Sequence, residues 1–328
     1  MKKLINSSEN CVDEMLEGFL AAYGNRYRRA ASVRGFAVKE KKERVGILIG
    51  GGSGHEPLFS GFVGEGMADG VALGQVFASP DPGTILEVTR MVDAGKGVLY
   101  LYGNYAGDNL NFGMAQELAG LEGIDVRMVA VADDVASAPQ ERAYDRRGIA
   151  GDVFVLKIAA AAAAKGYSLD QVERIAQQAN DNVRSIGIAL GSGSIPGQEA
   201  IFNLGEDEIE YGMGLHGEPG VKREAMAQAD VIVDEMMGAL LQDMNLDSGD
   251  EVCVLVNGLG ATTMLELCIV YRRVAQVLQE RGVSVYDGDI HSYCTSQEMA
   301  GASITLMKLN GERKELYDGK AQTPYYHR

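Results

Sequence analysis

Short apolar runs that stop abruptly in glycine constrain this chain more than any other feature. "VGILI" at 45–49 runs into "GGGSG", "GVLYLY" at 97–102 runs into Gly103, and "VRMVAV" (126–131) and "EVCVLVNG" (251–258) follow the same grammar. Runs of this length without polar interruption read as strands buried on both faces, and helical patterns such as "TILEVTRMVDAG" and "NFGMAQELAGL" lie between them. Strands alternating with helices place the chain in the α/β class, with mostly parallel or mixed sheets covered by helices.

Val12, Met15, Leu16, Phe19 and Leu20 recur at helical spacing, so the chain opens with an amphipathic helix. "DVFVLKIAAAAAAKG" (152–166) and "SLDQVERIAQQANDNV" (168–183) predict two further helices, the second started by Ser168, and the alanine tract predicts tight helix packing. "SIGIALGSGSIPG" at 185–197 then begins a new strand. The expected division is therefore an N-terminal α/β domain over 1–183 and a C-terminal α/β domain over 184–328. The latter continues with a strand at 251–258, a helix across 262–281, and strands in "VSVYDG" (283–288) and "SITLMKL" (303–309).

A hydrophobic fraction of 46% in 328 residues supplies ample core and excludes a disordered or fibrous chain. The net charge of −16 argues against nucleic acid or an anionic membrane surface as partner. Basic residues cluster in "RYRRAASVR" at 26–34, read as a solvated loop or helix end in preference to a docking patch for an acidic partner. The four cysteines show neither metal nor disulfide spacing, no apolar run reaches the ~20 residues that span a bilayer, and the N-terminus turns acidic too early for a signal peptide. A cytoplasmic protein is expected.

The chain has four histidines, and two of them, His55 and His216, fall in its most glycine-rich stretches, "GGGSGHEPL" (50–58) and "GMGLHGEPG" (212–220). The first follows a strand at its carboxyl end, where open α/β sheets bind ligands, but it lacks the ending of a P-loop and is no clean dinucleotide fingerprint. Its glycine amides and Ser53 can hold a hydroxylated or phosphorylated molecule, or the loop can be a tight turn with a structural histidine. His216 has few bulky neighbours to bury it; a neutral imidazole flanked by glycine is open to an electrophilic carbonyl. It makes a poor metal site, with only Glu218 nearby and no ligand at i+3 or i+4. Asp108, in "YGNYAGDNLNFGMAQE" (102–117), sits at or near a helix start, as a simple cap or as a carboxylate facing the same pocket. Asp133 and Asp134 read as a solvated or capping pair, and "NGLGATT" (257–263) as a structural turn.

"GGGSGHEP", "NYAGDNLNF", "DDVA", "RRGIAG", "SIGIALG", "GLHGEPG", "VNGLGAT" and "YCTSQEMAGASITL" stand in the order and at the spacings of the ketose-binding subunit of dihydroxyacetone kinase, which the chain resembles over nearly its whole length. The resemblance implies that His216 attacks the ketose carbonyl and holds it as a covalent hemiaminal. It also implies that His55 and Asp108 stand by the substrate hydroxyl as acid/base groups, and that Gly52, Ser53 and Gly54 belong to the substrate loop. By the same resemblance the fold is two α/β domains, usually in a homodimer, and this subunit binds no cofactor of its own. Nucleotide (ATP or ADP) and Mg2+ belong in that family to a helical partner subunit, recharged in some members by a phosphotransferase-system protein. Familiar bacterial members carry lysine where this chain has Gly103, so the ketose could be longer, as in erythrulose, or the chain could be a ketose-sensing regulator.

Overall fold

The computed structural model describes residues 2–328. The first half contains, in chain order, α1 (Cys11–Tyr23), β1 (Tyr27–Arg29), β2 (Gly35–Val38), β3 (Gly46–Ser53), β4 (Gly70–Val76), α2 (Pro82–Val92), β5 (Val98–Gly103), α3 (Ala106–Leu121), β6 (Val126–Val131), α4 (Asp152–Ala164) and α5 (Leu169–Asp181). Its six strands lie in the order β1-β2-β4-β3-β5-β6. β4, β3, β5 and β6 run parallel, and β2 and β1 complete the edge antiparallel.

Alternation along the central strands explains why they read as unbroken apolar runs. Ile47, Ile49, Leu99 and Leu101 face one core together with α1, α4 and α5. Their neighbours Leu48, Val98 and Tyr100 face the opposite core with α2 and α3. Both faces are covered, and each fully buried Ile or Leu contributes about 1.5–3 kcal/mol of apolar burial.

The second half adds β7 (Val183–Gly191), β8 (Glu208–Tyr211), β9 (Lys222–Ala225), α6 (Ala229–Met244), β10 (Glu251–Gly258), α7 (Met264–Glu280), β11 (Ser284–His291), β12 (Ala300–Lys308) and α8 (Gly311–Tyr317). The sheet order is β11-β10-β12-β7-β8-β9. Only β10 and β11 pair in parallel, across the α7 crossover; the other four pairings are antiparallel. Mixed sheets are thus the outcome, with the parallel character concentrated in the first half. The segment between β11 and β12 is too short for a crossover, which takes a dozen or more residues, so β12 must return antiparallel.

α6 and α7 cover one face of this second sheet, over Ile186, Ile188, Val254 and Ile304. Cys253, Leu255 and Met307 point the other way, into the same core as α4. The alanine tract is buried there and lets α4 lie close to its neighbours. Ser168 starts α5 with a reciprocal capping pair, its Oγ accepting from Gln171 N while Gln171 Oε1 accepts from Ser168 N. Beyond the second sheet the chain returns to the first half. Leu316 O accepts from the buried Lys157 Nζ at 2.8 Å, and Gln322 pairs with Glu65. Among the described residues, no helix is long and apolar enough to cross a membrane.

Candidate functional site

The two histidine loops meet. β3 delivers His55, and the loop after β8 delivers His216 from the second sheet. Their Nε2 atoms lie 3.1 Å apart. Each ring is held by its other nitrogen. His55 Nδ1 is 2.7 Å from Thr295 O, which can only accept, so this nitrogen carries the proton. His216 Nδ1 is 3.0 Å from Glu218 Oε1, and Glu218 Oε2 accepts from the His216 backbone N–H at 3.0 Å. Burial alone would raise the Glu218 carboxyl, but these bonds from His216 hold it down at about 2. It is therefore ionised and accepts the His216 Nδ1 proton, so that Nε2 is the nitrogen turned toward His55.

Glycine makes the two corners possible. Gly54 (φ +99°) turns the chain into His55, and a Cβ at Gly52 would lie 2.7 Å from the Ala78 nitrogen. At Gly217 (φ +84°) a Cβ would strike the Ile201 side chain at 2.3 Å. Arg147 anchors the second loop, bridging the Asp134 carboxylate at 2.8 Å and Gly212 O at 2.7 Å. Phe77 stacks on His55 with ring centroids 4.9 Å apart, from a left-handed backbone (φ 57°) that costs a non-glycine residue about 1–2 kcal/mol. His55 is 3% exposed. Burial, followed by the charge of His216, pushes its imidazole down to about 3, so it is a neutral acceptor at physiological pH.

A small cavity of about 20 Å3 opens onto these rings, lined also by Gly52, Gly103, Tyr105, Asp108 and Asp152. Asp108 lies in the first turn of α3, but Tyr105 occupies the cap position and no side chain caps this helix, so the cap reading of Asp108 fails. Its Oδ1 is buried without a partner, and burial raises its carboxyl. His55, Asp108, His216 and Gly52 therefore share one cavity. Ser53 and Gly54 do not line it. The Ser53 hydroxyl donates to Gly74 O at 2.8 Å, and both residues face a separate groove under Lys2–Ile5.

Of the two readings of Asp133 and Asp134, solvated or capping, the solvated one is overturned, since they are 0% and 1% exposed, and both accept from nearby backbone N–H groups. Asp133 accepts from the backbone N–H groups of Ile149 and Gly151, both at 2.8 Å, and so shapes the turn that presents Asp152. Residues hidden from sequence reasoning include Tyr105, Asp152, Thr295 and Phe77. Glu218 had a signal: both histidine corners carry a Glu-Pro pair, and Glu56 likewise folds back, accepting from Gly54 N at 2.9 Å. Among the described residues, no cluster of three or more His, Cys, Asp or Glu side chains is arranged to hold a metal ion.

Residues 17–325 match the Dak1 domain. The chain is 46% identical to a PTS-dependent dihydroxyacetone kinase 2 dihydroxyacetone-binding subunit, DhaK, of Listeria innocua, over 99% of both chains. It is 40% identical to an L-erythrulose kinase of Pectobacterium atrosepticum, over 99% of this chain and 56% of that protein. Among solved structures, the dihydroxyacetone kinase operon co-activator DhaQ superposes with a TM-score of 0.89 at 32% identity, over 95% of this chain and 97% of that one. With a match across nearly its whole length and both histidine corners meeting in one cavity, the chain belongs to the Dak1 domain family.

Proposed function

We propose that this chain is the ketose-binding subunit of a dihydroxyacetone-type kinase, holding a small ketose as a hemiaminal on His216 while a partner donates phosphate. The observation that carries this reading is the pair of imidazoles, each with Nδ1–H committed to an acceptor, whose Nε2 atoms face each other at 3.1 Å beside a buried acid. Two bare lone pairs repel, so that contact is attractive only with one proton between them. Ketose entry uses it. His216 Nε2 forms the N–C bond, the carbonyl π pair moves to oxygen, and that oxygen takes the bridging proton. The positive charge stays on the His216 ring, beside the Glu218 carboxylate, and His55 is left neutral.

Phosphoryl transfer then needs a base for the attacking hydroxyl. Asp108, with its raised carboxyl, and neutral His55 both line the cavity. As the new O–P bond forms and the donor P–O bond breaks, one of them takes the hydroxyl proton. The donor is a nucleotide with Mg2+ on a helical partner subunit, recharged by a phosphotransferase-system protein, and the working unit is a cytoplasmic homodimer. Support comes from the likeness to the Listeria subunit and from the Pectobacterium kinase, of which this chain spans about half.

The likeness to an operon co-activator favours a second reading, ketose sensing without turnover. Asp108 separates the two, because a sensor has no need of a buried base. With the partner subunit and the phosphotransferase-system donor that recharges its nucleotide supplied, Asp108→Asn should retain the ketose adduct and lose about a hundredfold or more in phosphorylation rate. Absence of turnover in the wild-type chain with a functional partner would favour the sensor.

A further inference from the structure

Two segments of the second half, "VNGLGAT" at 256–262 and "YCTSQEM" at 293–299, have no task in ketose capture beyond the one carbonyl that Thr295 offers to the His55 ring. His55 comes from the end of β3 in the first sheet and His216 from the loop after β8 in the second. Their 3.1 Å separation therefore depends on what ties these two elements together.

The loop between β11 and β12 bonds to both corners through three consecutive residues. Thr295 N donates to His55 O at 3.3 Å, Thr295 Oγ1 donates to Glu56 O at 2.9 Å, and Gln297 N donates to Gly54 O at 2.8 Å. His55 is thus held by its backbone as well as by its ring. Between these two residues, the Ser296 hydroxyl turns the other way and donates to Leu215 O, the carbonyl just before His216. That peptide unit is then fixed at both ends, because its N–H, on His216, donates to Glu218 Oε2 at 3.0 Å.

The loop is itself firmly seated. Asn257, fully buried near the end of β10, accepts from the backbone N–H groups of Tyr293 and Cys294, both at 2.8 Å, and donates to Cys294 O at 2.7 Å and to Ser303 Oγ at 3.2 Å. Ser296 is also fully buried, and its N–H donates to Leu259 O at 2.8 Å. Gln297 takes a left-handed backbone (φ 53°), which a non-glycine residue keeps only where its surroundings hold it. Such rigidity matters at the rings, since a drift of about 0.5 Å from 3.1 Å ends a hydrogen bond. We infer that the turn Thr295–Gln297 is a bracket that sets the spacing of the two imidazoles, with Ser296 as the positioning residue for His216. Its consequence for catalysis rests on the ketose-capture reading: an imidazole pair held out of register captures ketose slowly.

Ser296→Ala tests this on the whole chain, beside Thr89→Val, which removes comparable buried hydroxyl bonds, to Tyr100 and Ile85 O, in the first half. With four histidines in the chain, NMR spectra of protein labelled at its histidine nitrogens, read through the carbon-bound ring protons, report each ring separately. In Ser296→Ala, measured below its melting transition, the His55 Nε2 signal should move toward that of a free lone-pair nitrogen, and adduct formation with dihydroxyacetone should slow about tenfold or more. Thr89→Val should match the wild type in both readouts, even with an equal drop in melting temperature. A Ser296→Ala signal at the wild-type position, a rate within about twofold of wild type, or the same changes in Thr89→Val would overturn the bracket and leave ketose capture standing. A wild type that forms no adduct with either dihydroxyacetone or erythrulose would overturn the capture reading, and the nitrogen signals would still decide the bracket.

Discussion

Glu218→Gln is the perturbation whose effect can be worked furthest from the geometry. The carboxylate lies 3.0 Å from His216 Nδ1 and is held at about 2 against an ordinary 4.5. At 1.36 kcal/mol per tenfold, that difference corresponds to about 3.4 kcal/mol of preference for the charged pair. The Glu218 side chain is 35% exposed, so solvent screening reduces the figure to roughly half. A charge-assisted bond replaced by a neutral one gives a similar loss, ~1–2 kcal/mol. The adduct leaves its positive charge on this ring, so the variant should bind ketose roughly ten- to twentyfold more weakly by calorimetry. The amide can also turn its NH2 toward Nδ1 and release the tautomer, which adds to the loss. Binding within twofold of wild type would refute the idea that Glu218 holds the charged adduct.

Two further outcomes are expected from the site's geometry. His55 is pushed down to about 3 from an ordinary 6.5, so the unfolded chain takes up this proton first, and the stability this group contributes at neutral pH is lost progressively as pH falls from 6.5 toward 3. Between pH 7 and pH 4.5 the wild type should therefore lose roughly 2.5 kcal/mol more than His55→Gln in urea unfolding, and parallel losses would count against a buried neutral imidazole. Ser53→Ala should cost about 1 kcal/mol of stability through the bond to Gly74 O and leave ketose affinity unchanged, whereas a tenfold loss of affinity would return Ser53 to the substrate.

Much of the first half is legible in the sequence because its central strands are buried on both faces: β3, β5 and β6 announce themselves as apolar runs, and the turns after β3 and β5 supply His55 and Asp108. The second sheet is less so. β8 ("EIEY") and β9 ("KREA") are too short and too polar to stand out, and nothing in a strand's composition tells whether its neighbour runs parallel or antiparallel. Glycine spacing marks the His216 corner, and the Glu-Pro echo marks its carboxylate. Asp152 is hidden for a physical reason: an aspartate in the first turn of a helix is common, and only the fold shows that this one is buried, unpartnered and across the cavity from Asp108. Asp133 and Asp134 mislead in the opposite sense, since adjacent acids suggest solvent and these two organise buried backbone.

The central claim is that His216 Nε2 bonds covalently to a ketose carbonyl carbon. Intact-protein mass after incubation with dihydroxyacetone and with erythrulose, with and without borohydride, tests it most directly when wild type is compared with His216→Ala. The account predicts a gain of one whole ketose mass, without loss of water, in the wild type and none in the variant. An equal adduct in His216→Ala, or no adduct in a wild-type protein that calorimetry shows to be saturated, would contradict it.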